Sequence, residues 1–230
     1  MKKINPSHLQ KWAFGHAVLI FITAIALLFT ESLWLLTPIA FVSFTLLIYA
    51  DRLYLSRIKP WGGYANHITL FRLALVLAIP IIAIRYNDLA ILITGSFVIL
   101  LDGADGYVAR KTNNISKTGA LLDMETDALF VLILSYIHWQ SGTLASWILY
   151  IGLMKYAYTI IIYVAGLLPF DRTRTRLGPV AAVFLFVAEL FPYFTPRYIY
   201  MPVLAAASIF VFISFAYSGY LAINQRYKMG

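Results

Sequence analysis

Runs of about 20 predominantly apolar residues recur along the whole of this chain, and nothing else in the sequence constrains its fold as strongly. In hydrocarbon every backbone N–H and C=O must be satisfied inside the element that carries it, so each such run is expected to be a helix. Eight runs are evident: roughly Trp12 to Phe29, Leu33 to Ala50, Asn66 to Ile84, Leu89 to Arg110, Thr118 to Trp139, Leu144 to Leu168, Gly178 to Phe194 and Tyr198 to Asn224. The 230 residues are 61% hydrophobic and only 12% charged, where a soluble domain carries about 25% charged residues. An all-α integral membrane protein is the expected class. The opening MKKINPSHLQKW has the charge of a signal peptide, but the apolar run after it is long and lacks a small-residue cleavage site, so a retained helix is expected.

The joins read as turns. Thr30-Glu31-Ser32, Tyr86-Asn87-Asp88, Gln140-Ser141-Gly142 and Thr195-Pro196 are short and polar. Between the second and third runs, Asp51 to Tyr64 mixes Arg52, Arg57 and Lys59 with Leu53, Tyr54, Leu55, Ile58 and Trp61, then meets the breakers Pro60 and Gly62-Gly63. That mixture predicts a short interfacial helix.

The net charge of +8 does not point to nucleic acid, because the cations are not gathered into one stripe with exposed aromatics. They sit at the ends of the apolar runs. With eight spans, fourteen Lys and Arg residues, from Lys2 to Lys228, fall on one side, and Arg85 and Arg197 on the other. Basic loops mark the cytoplasmic side, so both termini are expected there; Arg72 and Lys155 remain inside spans.

Five of the ten acidic residues, Asp102, Asp105, Asp123, Glu125 and Asp127, crowd into the junction between the fourth and fifth runs, DGADGYVARKTNNISKTGALLDMETD. Carboxylates next to hydrocarbon must pair with cations or hold metal. On a helix, Asp102, Asp105, Gly106, Ala109 and Arg110 fall within an arc of roughly 140°, and Gly119, Asp123 and Asp127 within about 80°. Two antiparallel helices joined by a short loop can turn these faces together. Four carboxylates at close range call for cations between them, and an all-oxygen set suits hard divalent ions such as Mg²⁺ or Mn²⁺. Two ions would clamp a phosphoryl group, and one carboxylate could serve as general base. Without cysteine, thiolate ligands are excluded.

These residues resemble the CDP-alcohol phosphotransferases, also called CDP-alcohol phosphatidyltransferases. That family carries D-x-x-D-G-x-x-A-R, eight residues, then G-x-x-x-D-x-x-x-D, and every fixed position is present here, as Asp102, Asp105, Gly106, Ala109, Arg110, Gly119, Asp123 and Asp127. The resemblance implies a six-helix catalytic core over residues 65–230, preceded by an addition of two transmembrane helices and an interfacial segment over residues 1–64. It also implies transfer of a substituted phosphate from a CDP-linked donor to an alcohol, with release of CMP. By motif position, Asp102, Asp105 and Asp123 would hold two divalent ions, and Asp127 would touch a metal and act as base. Asp102, Gly106, Ala109, Arg110 and Gly119 would line the nucleotide site. Asn66 and Thr69, in the segment NHITLFR, are similar to an Asn and a Thr that hold the nucleotide in the family.

The acceptor side is less determined. Lys155 in the sixth run reads as a cation for an anionic acceptor or as the partner of a carboxylate, and Arg174 and Arg176 as acceptor contacts or topology anchors. Where family members using glycerol 3-phosphate have an Arg-Glu pair and a Gly-Lys-x-x-Thr turn, this chain has Lys155-Tyr156 and Arg176-Leu177-Gly178-Pro179. The expected reaction passes a phosphatidyl group from CDP-diacylglycerol to a small polar alcohol, glycerol 3-phosphate first, in a bacterial cytoplasmic membrane with the site facing the cytoplasm; a homodimer is among the assemblies this allows. Serine or another alcohol as acceptor, and transfer from CDP-choline or CDP-ethanolamine to diacylglycerol, are the alternatives. A cation transporter is the reading outside enzymes, but transport gives no reason for Arg110 or for the glycine and alanine positions. Glu189 reads as one half of a buried polar pair, and His8, His16, His67 and His138 as interfacial or packing residues.

Overall fold

The computed structural model describes residues 7–85, 87–112, 116–167 and 177–229, and all regular structure among them is helical. The helices are α1 (His8–Thr30), α2 (Leu36–Ala50), α3 (Arg52–Leu55), α4 (Tyr64–Ala83), α5 (Asp88–Thr112), α6 (Lys117–Gln140), α7 (Trp147–Val164), α8 (Leu177–Leu190) and α9 (Arg197–Met229). Each expected apolar run thus has a helix. Six segments are long and apolar enough to cross a membrane: His8–Thr30, Leu33–Ala50, Tyr64–Ala83, Asp88–Val108, Trp147–Val164 and Arg197–Asn224. The other two differ for physical reasons. Helix α8 with its 3-10 extension (Phe191–Tyr193) is short, and α6 carries Asp123, Glu125 and Asp127.

Beyond those charges, helix α6 runs through the protein interior. Every residue from Ala128 to His138 is buried, as expected of a helix that is apolar all round and enclosed by others. It packs against α4, α7 and α8, with further contacts to α1. Gly152 lets α7 approach: a Cβ there would stand 3.0 Å from the Leu132 backbone. Small residues at helix crossings in hydrocarbon serve this close packing.

The caps follow from local sequence. Ser7 and Gln10 form a capping box at the start of α1. Ser116 caps α6, accepting from the Gly119 N–H at 2.9 Å. A short helix, α3 (Arg52–Leu55), stands between α2 and α4, and Gly62 and Gly63, at positive φ of 74° and 87°, turn the chain into α4.

Hydrogen bonds tie the end of α1 to α6 and α2 to α4. Tyr136 donates to the Leu27 carbonyl, and Gln140 to that of Glu31, each at 2.7 Å. Thr37 donates to the Leu77 carbonyl of α4 at 3.1 Å.

Candidate active site

Three helices bring the site together. Helix α4 contributes Asn66, Thr69 and Arg72, spaced by three so that they share one face. Helix α5 contributes Asp102 and Asp105, and α6 contributes Gly119, Asp123 and Asp127.

At the centre lies Arg72, which is fully buried. Its Nη1 donates to Asp105 Oδ2 and to Asp123 Oδ1, both at 2.7 Å. Its Nη2 donates to Asp127 Oδ1 and lies 3.0 Å from Asp102 Oδ1. Thr69 adds a hydrogen bond to Asp105 Oδ2 at 3.0 Å. The forked, planar guanidinium presents five donors in a fixed geometry and can address several carboxylates at once. Asp105 is buried beside it, while the side chains of Asp102, Asp123 and Asp127 keep 21%, 27% and 22% of their surface exposed. The cluster therefore has a closed floor, made of Thr69, Arg72 and Asp105, and an open side lined by three carboxylates.

A metal fits that donor set. Asp102, Asp123 and Asp127 each offer an oxygen, and these atoms lie within 4.8 Å of one another. Hard divalent cations take such oxygen ligands, and the charge of Arg72 between the carboxylates marks the spot as one that favours a cation.

The nucleotide residues expected from the motif fall at the same end. Asn66 donates to Ser116 Oγ at 3.5 Å. A Cβ on Gly119 would stand 2.1 Å from Asn66 Oδ1 and 2.8 Å from Ser116 Oγ, so α4 and α6 touch here with no room for a side chain. Gly106 is partly buried on α5; the side chains of Ala109 and Arg110, and all of Arg174 and Arg176, lie outside the described residues.

Lys155 does not join the cluster. Its Nζ is paired with Glu125, which is fully buried. Glu125 sits two positions from both Asp123 and Asp127, about 200° around the helix, and so points to the opposite side of α6. The carboxylate partner explains this half-buried lysine, and an acceptor contact finds no support in this geometry. His16 Nε2 lies 3.8 Å from the same carboxylate, with Nδ1 2.8 Å from Ser43 Oγ. Glu189 forms the polar pair expected of it, accepting from Ser135 at 2.9 Å and lying 3.5 Å from His138 Nε2. His67 is exposed and lies 2.7 Å from the Trp61 carbonyl.

Sequence reasoning missed Arg72, Thr118 and Asp51. Arg72 carried a usable signal, since an arginine inside an apolar span must be paired, and it stands three residues after Thr69 on the same face. Thr118 and Asp51, which hydrogen-bond each other, carried none.

No curated protein and no solved structure matches the chain. The CDP-alcohol phosphatidyltransferase family profile does: it covers residues 63–217, about two thirds of the chain, including all four clustered aspartates and the arginine between them, and the chain belongs to that family.

Proposed function

We propose that the protein transfers a phosphatidyl group from CDP-diacylglycerol to a small polar alcohol and releases CMP, with glycerol 3-phosphate the acceptor to test first. Family membership supports phosphatidyl transfer from a CDP-alcohol. One observation carries the finer reading: carboxylates from two helices converge on a single cation, and three of them stay open on one side. Asp102, Asp105 and Asp123 would hold two divalent ions with Asp127 as a further ligand, and ions bound there would neutralise the diphosphate oxygens and stabilise the leaving group.

The residues of the chain do the rest. Asp127 accepts the proton of the acceptor hydroxyl. The freed oxygen attacks the phosphorus that bears the diacylglycerol; the bond from that phosphorus to the oxygen bridging to CMP breaks, and CMP leaves with the electron pair. Asn66, Thr69, Gly106, Ala109, Arg110 and Gly119 serve the cytidine nucleotide. Arg174 and Arg176 are candidates for an acceptor phosphate. In this reading all eight helices other than α3 cross the membrane, the site faces the cytoplasm, and residues 1–64 precede a catalytic domain over 65–230.

Purified protein supplied with CDP-diacylglycerol should release CMP only when a divalent ion and an acceptor are both present. Mass spectrometry of lipid products with glycerol 3-phosphate, serine, inositol and inositol phosphate in parallel identifies the acceptor, and CDP-choline with diacylglycerol tests the reversed substrates. Asp127→Asn should lose about 10²- to 10⁴-fold in turnover, the scale of a general base, with its helical circular dichroism intact. Undiminished turnover in that variant removes the base assignment.

A further inference from the structure

We infer that Asp51, at the joint between α2 and α3, is a positioning residue for the nucleotide end of the site, so that the N-terminal helices complete the catalytic domain as well as anchor it. The inference rests on the proposed function in one respect, that Asn66 and Gly119 contact the nucleotide.

Asp51 is buried, with 7% of its surface exposed. A carboxylate in that position has to be satisfied by donors. Its Oδ2 accepts the hydroxyl of Thr118, and its Oδ1 lies 2.7 Å from His8 Nε2. Thr118 is buried as well, in the first turn of α6, between the cap Ser116 and Gly119. A threonine in a helix can bond its own backbone four residues earlier; this one reaches across 67 positions of sequence to the N-terminal segment instead.

The consequence lies in what Thr118 adjoins. Gly119 is pressed against the Asn66 amide oxygen with no space for a methyl group, and Ser116 links the two through its hydroxyl. The start of α6 is therefore held from two sides, by α4 through Asn66 and Ser116 and by the α2–α3 joint through Asp51 and Thr118. Releasing the second hold lets the α6 terminus shift against Asn66, where the nucleotide is read. The aspartates lie one and two turns further along α6 and keep their own anchor in Arg72.

The test uses the full chain in lipid nanodiscs. Thr118→Val is nearly isosteric and removes only the donor; Thr118→Ser keeps it. The expected result is about a tenfold loss of CMP affinity by calorimetry in Thr118→Val, the scale of one hydrogen bond to a charged group. The KM for CDP-diacylglycerol should rise by a similar factor with kcat little changed, Thr118→Ser should behave as wild type, and Asp51→Asn should follow Thr118→Val. Mn²⁺ affinity by electron paramagnetic resonance should stay at the wild-type value in all three, which a collapsed protein would not show. Wild-type CMP affinity in Thr118→Val overturns the inference alone, as does equal damage in Thr118→Val and Thr118→Ser, which would mean packing. A wild-type protein that binds no CMP removes the proposed function and the inference together.

Discussion

Arg72 sets the electrostatic balance of the site. Four carboxylates within reach of one guanidinium repel one another, and the arginine offsets that repulsion from a position with no solvent exposure. Removing one partner of a buried ionic cluster costs on the order of 3–5 kcal/mol, because the charges left behind are uncompensated. Arg72→Met should therefore melt well below the wild type in EDTA. Millimolar Mg²⁺ or Mn²⁺ should restore much of the loss, since an ion that binds only the folded state stabilises it by mass action. Thermal unfolding with and without metal reads both effects; a variant that melts as the wild type does in EDTA, or that gains no more from Mn²⁺ than the wild type, counts against a shared cation position. From the sequence, Arg72 reads only as a charge inside an apolar span. Three of its partners lie 33, 51 and 55 positions away, and no local pattern ties them to α4.

At the scale of the element, α6 does two jobs with residues that alternate around it. Asp123 and Asp127 face α4 and α5, while Glu125 turns to α7 and α1, where Lys155 and His16 meet it. Lys155→Met alone should destabilise the protein by about 3–5 kcal/mol, since it strands a buried carboxylate, whereas the double variant Glu125→Gln, Lys155→Met should recover most of that. Equal stability of the single and double variants in a detergent unfolding titration would show that the pair does not matter to folding. The facing aspartates are legible in the sequence because their four-residue spacing fixes one side of a helix whatever surrounds it. The partner of Lys155 is not, because helical periodicity states that Glu125 points away from the aspartates without stating which helix lies there. The same limit hides Asp51, whose role depends on the α2–α3 joint folding back against the start of α6.

Across the whole molecule, the apolar runs map onto helices almost one for one, because hydrocarbon leaves the backbone no other open-ended choice. The number that cross the membrane is a separate question, since six segments qualify on length and apolarity while α6 and α8 depend on their neighbours. Helix α6 is decisive. Glu125 is covered by protein and Asp123 and Asp127 are held by Arg72, while side chains such as Phe29, Leu100 and Tyr150, on α1, α5 and α7, are widely exposed around the outside, where lipid would solvate them. If α4, α5 and α6 all cross, Ser56 before α4 and Ser141 after α6 lie on opposite sides of the membrane. Both are exposed, and the chain has no cysteine of its own, so single Ser56→Cys and Ser141→Cys variants report without background. In intact cells a membrane-impermeant maleimide should label Ser141→Cys directly and Ser56→Cys only after permeabilisation, consistent with basic residues gathering on the cytoplasmic side. Labelling of both from outside, or of neither, would place them on one side and remove α6 from the spans; the opposite pattern would keep the eight spans and turn the aspartate cluster away from the cytoplasm, where CDP-linked donors could no longer reach it from that side.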